Sequence, residues 1–230
     1  MQKDIFLVDA DDTLLDFHAS SKLSLKQAFL DCGIPFQEEY LQTFSTFNAG
    51  LWQRLERKEL TRSELMSRRF PMYLQLLGIT DVSGEEFNNV FLKNLSTKPI
   101  YMDGAEEFLQ TLNQMGEVYI VTNGTAWIQK SRFDIVNLWQ YAKDVFVSDL
   151  IGFDKPAKEY TDYVLAHIPN FDKSRAVWIG DSLSADIKAA SDSNIDSIWF
   201  NPHQKPLKGS VKPTCETNSF DEILNILAKK

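Results

Sequence analysis

The sequence is poor in the residues that usually staple a small fold or bind a transition metal. Its 230 residues include two cysteines and three histidines. Cys32 and Cys215 lie far apart in sequence, so we expect no disulfide framework, and a reducing, cytoplasmic setting is the default expectation. His18, His167 and His203 show no metal-ligand spacing. A zinc site built on histidine and cysteine is therefore not predicted.

The chain also lacks an excess of positive charge and any long apolar run. Its formal net charge is -8 at pH 7, so neither a nucleic acid polymer nor an anionic membrane surface would be attracted to it in bulk. No apolar run approaches about 18 residues, which excludes a membrane-spanning helix. The first residues lead directly into a strand pattern, so we expect no signal peptide. A small molecule stays possible as ligand, even an anionic one, if one local site is positive.

The composition is that of a globular protein, and the sequence contains two kinds of region with different hydrophobic patterns. It is 43% hydrophobic and 24% charged, which supports a sizeable core. Short apolar strands alternate with helical patterns in residues 1–16 and 99–230, whereas residues 17–98 show helical periodicity alone. We therefore predict an α/β fold, in which a Rossmann-like parallel sheet carries an inserted helical bundle. Residues 201–218, which include three prolines, are predicted to form a surface loop.

The end of the first predicted strand is unusually rich in negative charge. In "FLVDADDTLLDF", at 6–17, Asp9 and Asp11 follow directly on an apolar run. In an open parallel sheet, ligands bind beyond the carboxyl ends of the strands. Later strands contribute further polar side chains to the same edge, namely Thr122, Lys155, Asp181 and Asp186. One crevice is thus predicted to gather several carboxylates, a hydroxyl group and a lysine.

Carboxylates so close together cannot all ionise without a counter-charge. Oxygen ligands unaccompanied by histidine or cysteine favour Mg²⁺ over zinc. A cation, a lysine, a hydroxyl group and backbone N–H groups at helix starts together describe a phosphate site. In such a site one carboxylate can attack phosphorus, while a second protonates the leaving oxygen and then activates water. The pattern predicts Mg²⁺ as cofactor and phosphoryl transfer as chemistry.

Four short motifs resemble those of the haloacid dehalogenase (HAD) superfamily of phosphohydrolases, over the whole length of the chain. They are "DADDTL", "VYIVTNG", "GFDKP" and "VWIGDSLSADI", each after an apolar strand. The resemblance implies that Asp9 is the nucleophile and Asp11 the acid/base. It also implies that Thr122, with Asn123 beside it, binds the transferring phosphoryl group and that Lys155 neutralises it.

The same resemblance implies a metal site and different roles for the two kinds of region. Asp181 would hold Mg²⁺ together with Asp9 and the backbone carbonyl of Asp11. Asp186 would orient the water of the metal, or Lys155, without being a ligand itself. Residues 1–16 and 99–230 would form the catalytic core, and residues 17–98 the helical cap that closes over the site and excludes water.

Softer features resemble a subgroup of 5′-nucleotidases that act on pyrimidine nucleoside monophosphates. They are "TNG" with Gln129 and Arg132, the segment "NAGLWQRLERKEL" at 48–60, and "RF" at 69–70. In the cap, Asn48, Trp52 and Arg69 are the candidate substrate contacts. Packing between helices is the alternative interpretation for all three.

Several other functions stay open. A sugar-phosphate or phosphoglycolate phosphatase, or a phosphomutase, would use the same core residues. A dehalogenase usually lacks the second acid of the first motif, so Asp11 argues against it. A receiver-like phospho-accepting module has a comparable set of acids, threonine and lysine, but it gives the helical insertion no purpose. The chain is expected to be a monomer or homodimer with a small phosphomonoester as its partner.

Overall fold

The protein is described by a computed structural model that covers residues 3–207 and 209–228. The chain divides into two compact units, Met1–Asp16 with Ile100–Lys230 and, between them in sequence, Phe17–Pro99. Pro99 belongs to the second unit, one residue beyond the predicted boundary. The assignment of a catalytic and a cap role to these units stays a prediction. Within the described ranges, no helix is both long and apolar enough to cross a membrane.

The second unit is helical throughout, and aromatic rings fill its centre. Its helices are α1 (Phe17–Asp31), α2 (Glu38–Glu56), α3 (Arg62–Leu76) and α4 (Gly84–Ser96). The ring centroids of Phe29 and Phe87 lie 4.8 Å apart, those of Phe70 and Phe91 4.9 Å apart, and those of Phe44 and Phe70 5.4 Å apart. Such distances are typical of favourable aromatic pairs, so these rings join α1 to α4 into one core.

The first unit is built on a parallel sheet. Its strands are β1 (Ile5–Val8), β2 (Glu117–Thr122), β3 (Asp144–Val147), β4 (Ala176–Gly180), β5 (Asp196–Phe200) and β6 (Cys215–Thr217). They are ordered β3-β2-β1-β4-β5-β6, and every neighbouring pair is parallel. The predicted α/β fold is confirmed. Val8 is level with Ile120 of β2 and Ile179 of β4, so the ends of these three central strands meet at one edge.

Helices cover both faces of this sheet, as the continuous apolar strands predict. They are α5 (Ala105–Met115), α6 (Ala126–Ile135), α7 (Ser148–Ile151), α8 (Lys158–His167), α9 (Lys188–Asp192) and α10 (Phe220–Ala228). Successive side chains of a strand point to opposite faces. Phe6 and Val8 therefore share one buried cluster with residues of α5, α6 and α10, whereas Ile5 and Leu7 share another with residues of α8 and α9.

The predicted loop over 201–218 is wrong at its end, where β6 adds an edge strand. Cys215 pairs with Ile198 and Thr217 with Phe200. The strand has three residues with the exposed Glu216 at its centre. It carries no apolar run because an edge strand this short is held by backbone pairing, which leaves little pattern in the sequence.

Candidate active site

Lys155 lies at the centre of a buried charge cluster at the ends of the central strands. Its Nζ donates to Oδ1 of Asp9 at 2.5 Å, to Oδ1 of Asp186 at 2.7 Å and to the backbone oxygen of Val121 at 2.7 Å. All three side chains are buried, and only 2% of Lys155 is exposed. Since an ammonium group has three N–H donors, this lysine is fully engaged and its position is fixed.

The cluster carries an excess of negative charge, which shows in the pKa values of its members. Burial, followed by the charge of Asp186, raises the pKa of Asp9 to about 8, although Lys155 opposes that shift. Burial alone would lower the pKa of Lys155, but the carboxylates of Asp186 and Asp9 raise it above its ordinary value. Two carboxylates thus share one ammonium group in a buried site, and a further cation would be stabilised beside them.

Asp181, at the end of β4, supplies a third carboxylate to this group. One oxygen each from Asp9, Asp181 and Asp186 lie within 4.8 Å of one another. Burial, followed by the charges of Asp12 and Asp9, raises the pKa of Asp181 well above its usual range. An all-carboxylate set at this spacing matches the ligand chemistry of a hard divalent cation. The residues therefore fit Mg²⁺, while the choice of direct ligands among them stays a prediction.

Asp186 is held from three sides within a π-helical turn at Leu183–Ile187. Besides Lys155, its Oδ1 accepts from Nε1 of Trp178 at 3.3 Å, and its Oδ2 accepts from the backbone N–H of Ser182 at 3.2 Å. A Cβ at Gly180 would overlap the carboxyl group of Asp186. The glycine of the fourth motif is therefore explained by space around Asp186.

The carboxylate of Asp11 is not one of these three and is held by side chains of α6. Nη1 of Arg132 donates to its Oδ1 at 2.6 Å, and Nε2 of Gln129 donates to its Oδ2 at 2.9 Å. Gln129 Nε2 also donates to Oγ1 of Thr122 at 2.9 Å. The network connects the predicted acid/base with the predicted phosphate-binding hydroxyl group. Sequence reasoning gave neither α6 residue a part in the chemistry.

Asn123 fixes the backbone around Lys155. Its Oδ1 accepts from the backbone N–H of Lys155 at 2.7 Å, and its Nδ2 donates to the backbone oxygen of Lys155 at 2.9 Å. The adjacent Thr122 is buried at the end of β2. The second and third motifs are thus joined directly, which brings Thr122 and Lys155 to the same edge of the sheet.

The segment after β5 adds a cation that sequence analysis missed. Nζ of Lys205 lies 3.3 Å from Oδ2 of Asp181. The buried Asn201 holds this segment in place, since its Oδ1 accepts from the backbone N–H of Lys205 at 2.8 Å and its Nδ2 donates to the backbone oxygen at 2.9 Å. The segment was predicted as a surface loop, so its contribution to the site carried no sequence signal.

Arg69, a predicted substrate contact, lies within the core of the helical unit. It is 3% exposed. Its guanidinium carbon lies 4.8 Å from the ring centroid of Phe70 and 5.3 Å from that of Phe91, and its Nη2 donates to Oδ1 of Asn88 at 3.0 Å. Burial, followed by the charge of Arg62, lowers the pKa of Arg69 to about 10. Because that value is still well above neutrality, the guanidinium stays charged.

The two other predicted contacts of the helical unit lie in different environments. Asn48 is buried, and its Oδ1 has no hydrogen-bond partner among the residues that the structure describes. Trp52 is half-buried, and the guanidinium carbon of Arg62 lies 5.7 Å from its ring centroid. Contact with a substrate stays a prediction for Asn48 and for Trp52.

Residues 3–194 match the family model of the haloacid dehalogenase-like hydrolases. YfnB of Bacillus subtilis, which is named as a HAD-hydrolase, is 37% identical over 221 residues that cover 96% of this chain and 94% of YfnB. The crystal structure of YfnB bound to magnesium has a TM-score of 0.94 at 36% identity, covering 99% of this chain and all of the other. The chain therefore belongs to the haloacid dehalogenase-like hydrolase family.

Two further relatives are named pyrimidine 5′-nucleotidases. PynA of Streptococcus pneumoniae is 31% identical over 97% of this chain and 94% of its own. YjjG of Escherichia coli is 28% identical over 100% of both chains. The predicted superfamily and the resemblance to this nucleotidase subgroup are confirmed. The prediction of a phosphohydrolase is confirmed at the level of the family.

Proposed function

We propose that the chain is a Mg²⁺-dependent phosphomonoester hydrolase that forms an aspartyl-phosphate on Asp9 and acts on pyrimidine nucleoside 5′-monophosphates. The observation that carries this proposal is the buried cluster in which Asp9 contacts Lys155 and shares a cation-binding group of oxygens with Asp181 and Asp186. A carboxylate next to both a lysine and a cation can attack a phosphate dianion that it would otherwise repel.

In the first step an Asp9 oxygen attacks phosphorus and the ester P–O bond breaks. Asp11 gives a proton to the departing alkoxide oxygen, so the leaving group departs as an alcohol. The hydroxyl group of Thr122 donates a hydrogen bond to a phosphoryl oxygen, and Lys155 balances the charge of the phosphoryl group. Mg²⁺, which Asp9, Asp181 and the backbone carbonyl of Asp11 would hold, supplies the positive charge that this approach of anions requires.

In the second step water attacks the phosphorus of the aspartyl-phosphate. Asp11, now a carboxylate, accepts the proton of that water, and the bond between phosphorus and the Asp9 oxygen breaks. Inorganic phosphate leaves, Asp9 returns as a carboxylate and Asp11 is protonated again. Asp9 and Asp11 are then in their starting protonation states, and the enzyme is ready for the next turnover.

A pyrimidine nucleotide is proposed as the substrate for two reasons: the similarity to PynA and YjjG, and the side chains that the helical unit offers. Arg69, Asn48 and Trp52 are proposed to contact the nucleoside. Arg69 is a buried, charged donor, and Asn48 offers a buried carbonyl oxygen without a partner among the described residues. A pyrimidine presents both acceptors and a donor on its edge, so such a pair is chemically suitable.

A phosphate-release assay on a panel of monoesters tests this function. The panel contains UMP, dUMP, dTMP, AMP, glucose 6-phosphate and phosphoglycolate, each with Mg²⁺ and with a chelator. We expect many turnovers per enzyme, the highest kcat/KM for pyrimidine nucleotides, and loss of activity in the chelator that Mg²⁺ restores. Preference for phosphoglycolate or a sugar phosphate would contradict the nucleotidase. Release of a single equivalent would instead indicate a phospho-accepting module.

A further inference from the structure

We infer that Arg132 and Gln129 are positioning residues that hold Asp11 in the orientation needed for proton transfer. The inference rests on the proposed function, because it concerns the acid/base of that reaction. The two α6 side chains occupy both carboxylate oxygens of Asp11, at 2.6 and 2.9 Å. Nη1 of Arg132 also donates to Oε1 of Gln129 at 2.8 Å, so the pair is braced internally.

The burial of Arg132 is poorly explained by stability. Its side chain is 1% exposed, and its Nε and Nη2 atoms have no hydrogen-bond partner among the described residues. A buried guanidinium with unsatisfied donors destabilises a fold relative to an apolar side chain of similar size. Its ion pair is with Asp11, whose side chain is 27% exposed. A buried arginine with two unpartnered nitrogen atoms and an ion pair to Asp11 is better explained by the position that it gives Asp11 than by stability.

Gln129 connects the same carboxylate with the phosphate site, and the backbone leaves room for it. Its Nε2 donates to both Asp11 and Thr122. A Cβ at Gly124 would overlap the Gln129 side chain. The glycine of "TNG" therefore lets Gln129 reach back from α6 to the end of β2. A single side chain of α6 thereby links Asp11, the proposed proton donor, to Thr122, the proposed phosphate contact.

The orientation of Asp11 should matter most for substrates whose leaving group must be protonated by it. An alkoxide leaving group requires protonation, whereas p-nitrophenolate departs readily without it. The kcat/KM reports the reaction up to departure of the leaving group, before the aspartyl-phosphate that both esters share is hydrolysed. If Arg132 acts through Asp11, its loss must therefore lower kcat/KM far more for an alkyl ester than for an aryl ester. A merely structural role would lower the two values alike.

The test compares kcat/KM for UMP and p-nitrophenyl phosphate in Arg132→Met, Arg132→Lys and Asp11→Asn. We expect Arg132→Met to lower kcat/KM for UMP about 100-fold and for p-nitrophenyl phosphate less than about 5-fold, following the range for general acid catalysis. Asp11→Asn should show the same selectivity. Arg132→Lys should recover part of the loss, because it keeps a cation but not the planar fork.

Lys130→Met is the matched control, since Lys130 is an exposed cation on the same helix and pairs with Asp134. It should leave both kcat/KM values unchanged. Thermal unfolding of Arg132→Met and Lys130→Met is measured alongside, and the kinetics are recorded at a temperature at which each variant is folded, which separates positioning from misfolding. Equal losses of kcat/KM on the two esters would overturn the inference. Hydrolysis of neither ester by the wild type would overturn the proposed function and the inference with it.

Discussion

Two buried cations distinguish the two units of this protein. In the sheet unit, Lys155 is surrounded by carboxylates, and its three N–H donors are all used. In the helical unit, Arg69 is equally buried, but in the described part of the chain it has no carboxylate partner and lies among aromatic rings. The first cation is part of a cluster with more carboxylates than cations, and the second has no carboxylate partner among the residues that the structure describes.

The difference indicates two uses of buried charge. A cluster with more carboxylates than cations is stable only if protons or a metal ion complete it. A guanidinium that lies over aromatic faces and donates to one amide, as Arg69 does to Asn88, still has an N–H donor, at Nε, without a partner in the described part of the chain. The proposed function places the chemistry around Lys155 and the contact with the nucleoside around Arg69, and each half of this contrast can be tested by substitution.

The largest expected effect comes from removing the paired cation. Lys155→Met leaves Asp9 and Asp186 buried without their ammonium, which should lower the free energy of unfolding by about 3–5 kcal/mol and abolish hydrolysis. Urea unfolding measures the loss. Lys158→Met, which removes an exposed lysine paired with Asp162, should stay within about 1 kcal/mol of the wild type. Equal stability of the two variants would contradict the claim that Lys155 stabilises the fold by pairing with Asp9 and Asp186.

A second prediction concerns the metal and pH. The pKa of Asp9 is raised from 3.8 to about 8 in the folded protein without metal, and that of Asp181 is raised as well. The folded state therefore binds more protons than the unfolded state within this window. The free energy of unfolding of the metal-free protein should thus fall as pH rises from about 4 to about 8.

Because Mg²⁺ replaces these protons, it should stabilise the protein more at about pH 8 than at about pH 6. A free Mg²⁺ concentration about 100 times its Kd corresponds to about 2.7 kcal/mol. Thermal unfolding with and without Mg²⁺ measures this difference, and Asp181→Asn should diminish it. A shift that is independent of pH, or equal in Asp181→Asn, would place Mg²⁺ elsewhere.

The smallest effect on stability is expected from the substitution of Arg69. In Arg69→Met, loss of a cation–π contact of about 1–2 kcal/mol is offset by relief from burying a charge, so stability should change by less than about 1 kcal/mol. The kcat/KM for UMP should nevertheless fall about tenfold, equivalent to about 1.4 kcal/mol of lost binding. Arg68→Met, at the exposed neighbouring arginine, is the control. Unchanged UMP hydrolysis in Arg69→Met would make Arg69 a structural residue.

The sheet and the centre of the site could be predicted from sequence because their signals are local. Asp9 and Asp181 directly follow apolar strands and Thr122 is the last residue of another, and parallel strands bring such ends to one edge. Lys155 lies farther beyond the end of β3, but its motif "GFDKP" contains a glycine and a proline, which indicate a turn there. The residues that the chemistry needs thus lie where the backbone pattern itself changes.

The rest of the site carried no such signal. Gln129 and Arg132 were noted in the sequence only for a resemblance to the nucleotidase subgroup, and nothing in the helical pattern indicates their hydrogen bonds to Asp11. Lys205 reaches Asp181 through a segment without regular structure, fixed by Asn201. The edge strand β6 depends on backbone hydrogen bonds that any side chain permits. In each case the decisive contact joins residues distant in sequence.

The most direct test of the account is to identify the phosphorylated residue. Wild-type enzyme mixed with substrate and Mg²⁺ is quenched in acid, reduced with borohydride and digested for mass spectrometry, with Asp4→Asn as a control at the opposite end of β1. We predict that the peptide containing Asp9 is modified at Asp9 in the wild type and in Asp4→Asn, and that Asp9→Asn gives no modified peptide and no turnover. Turnover that persists in Asp9→Asn, or a phosphoryl group on another residue, would contradict the account.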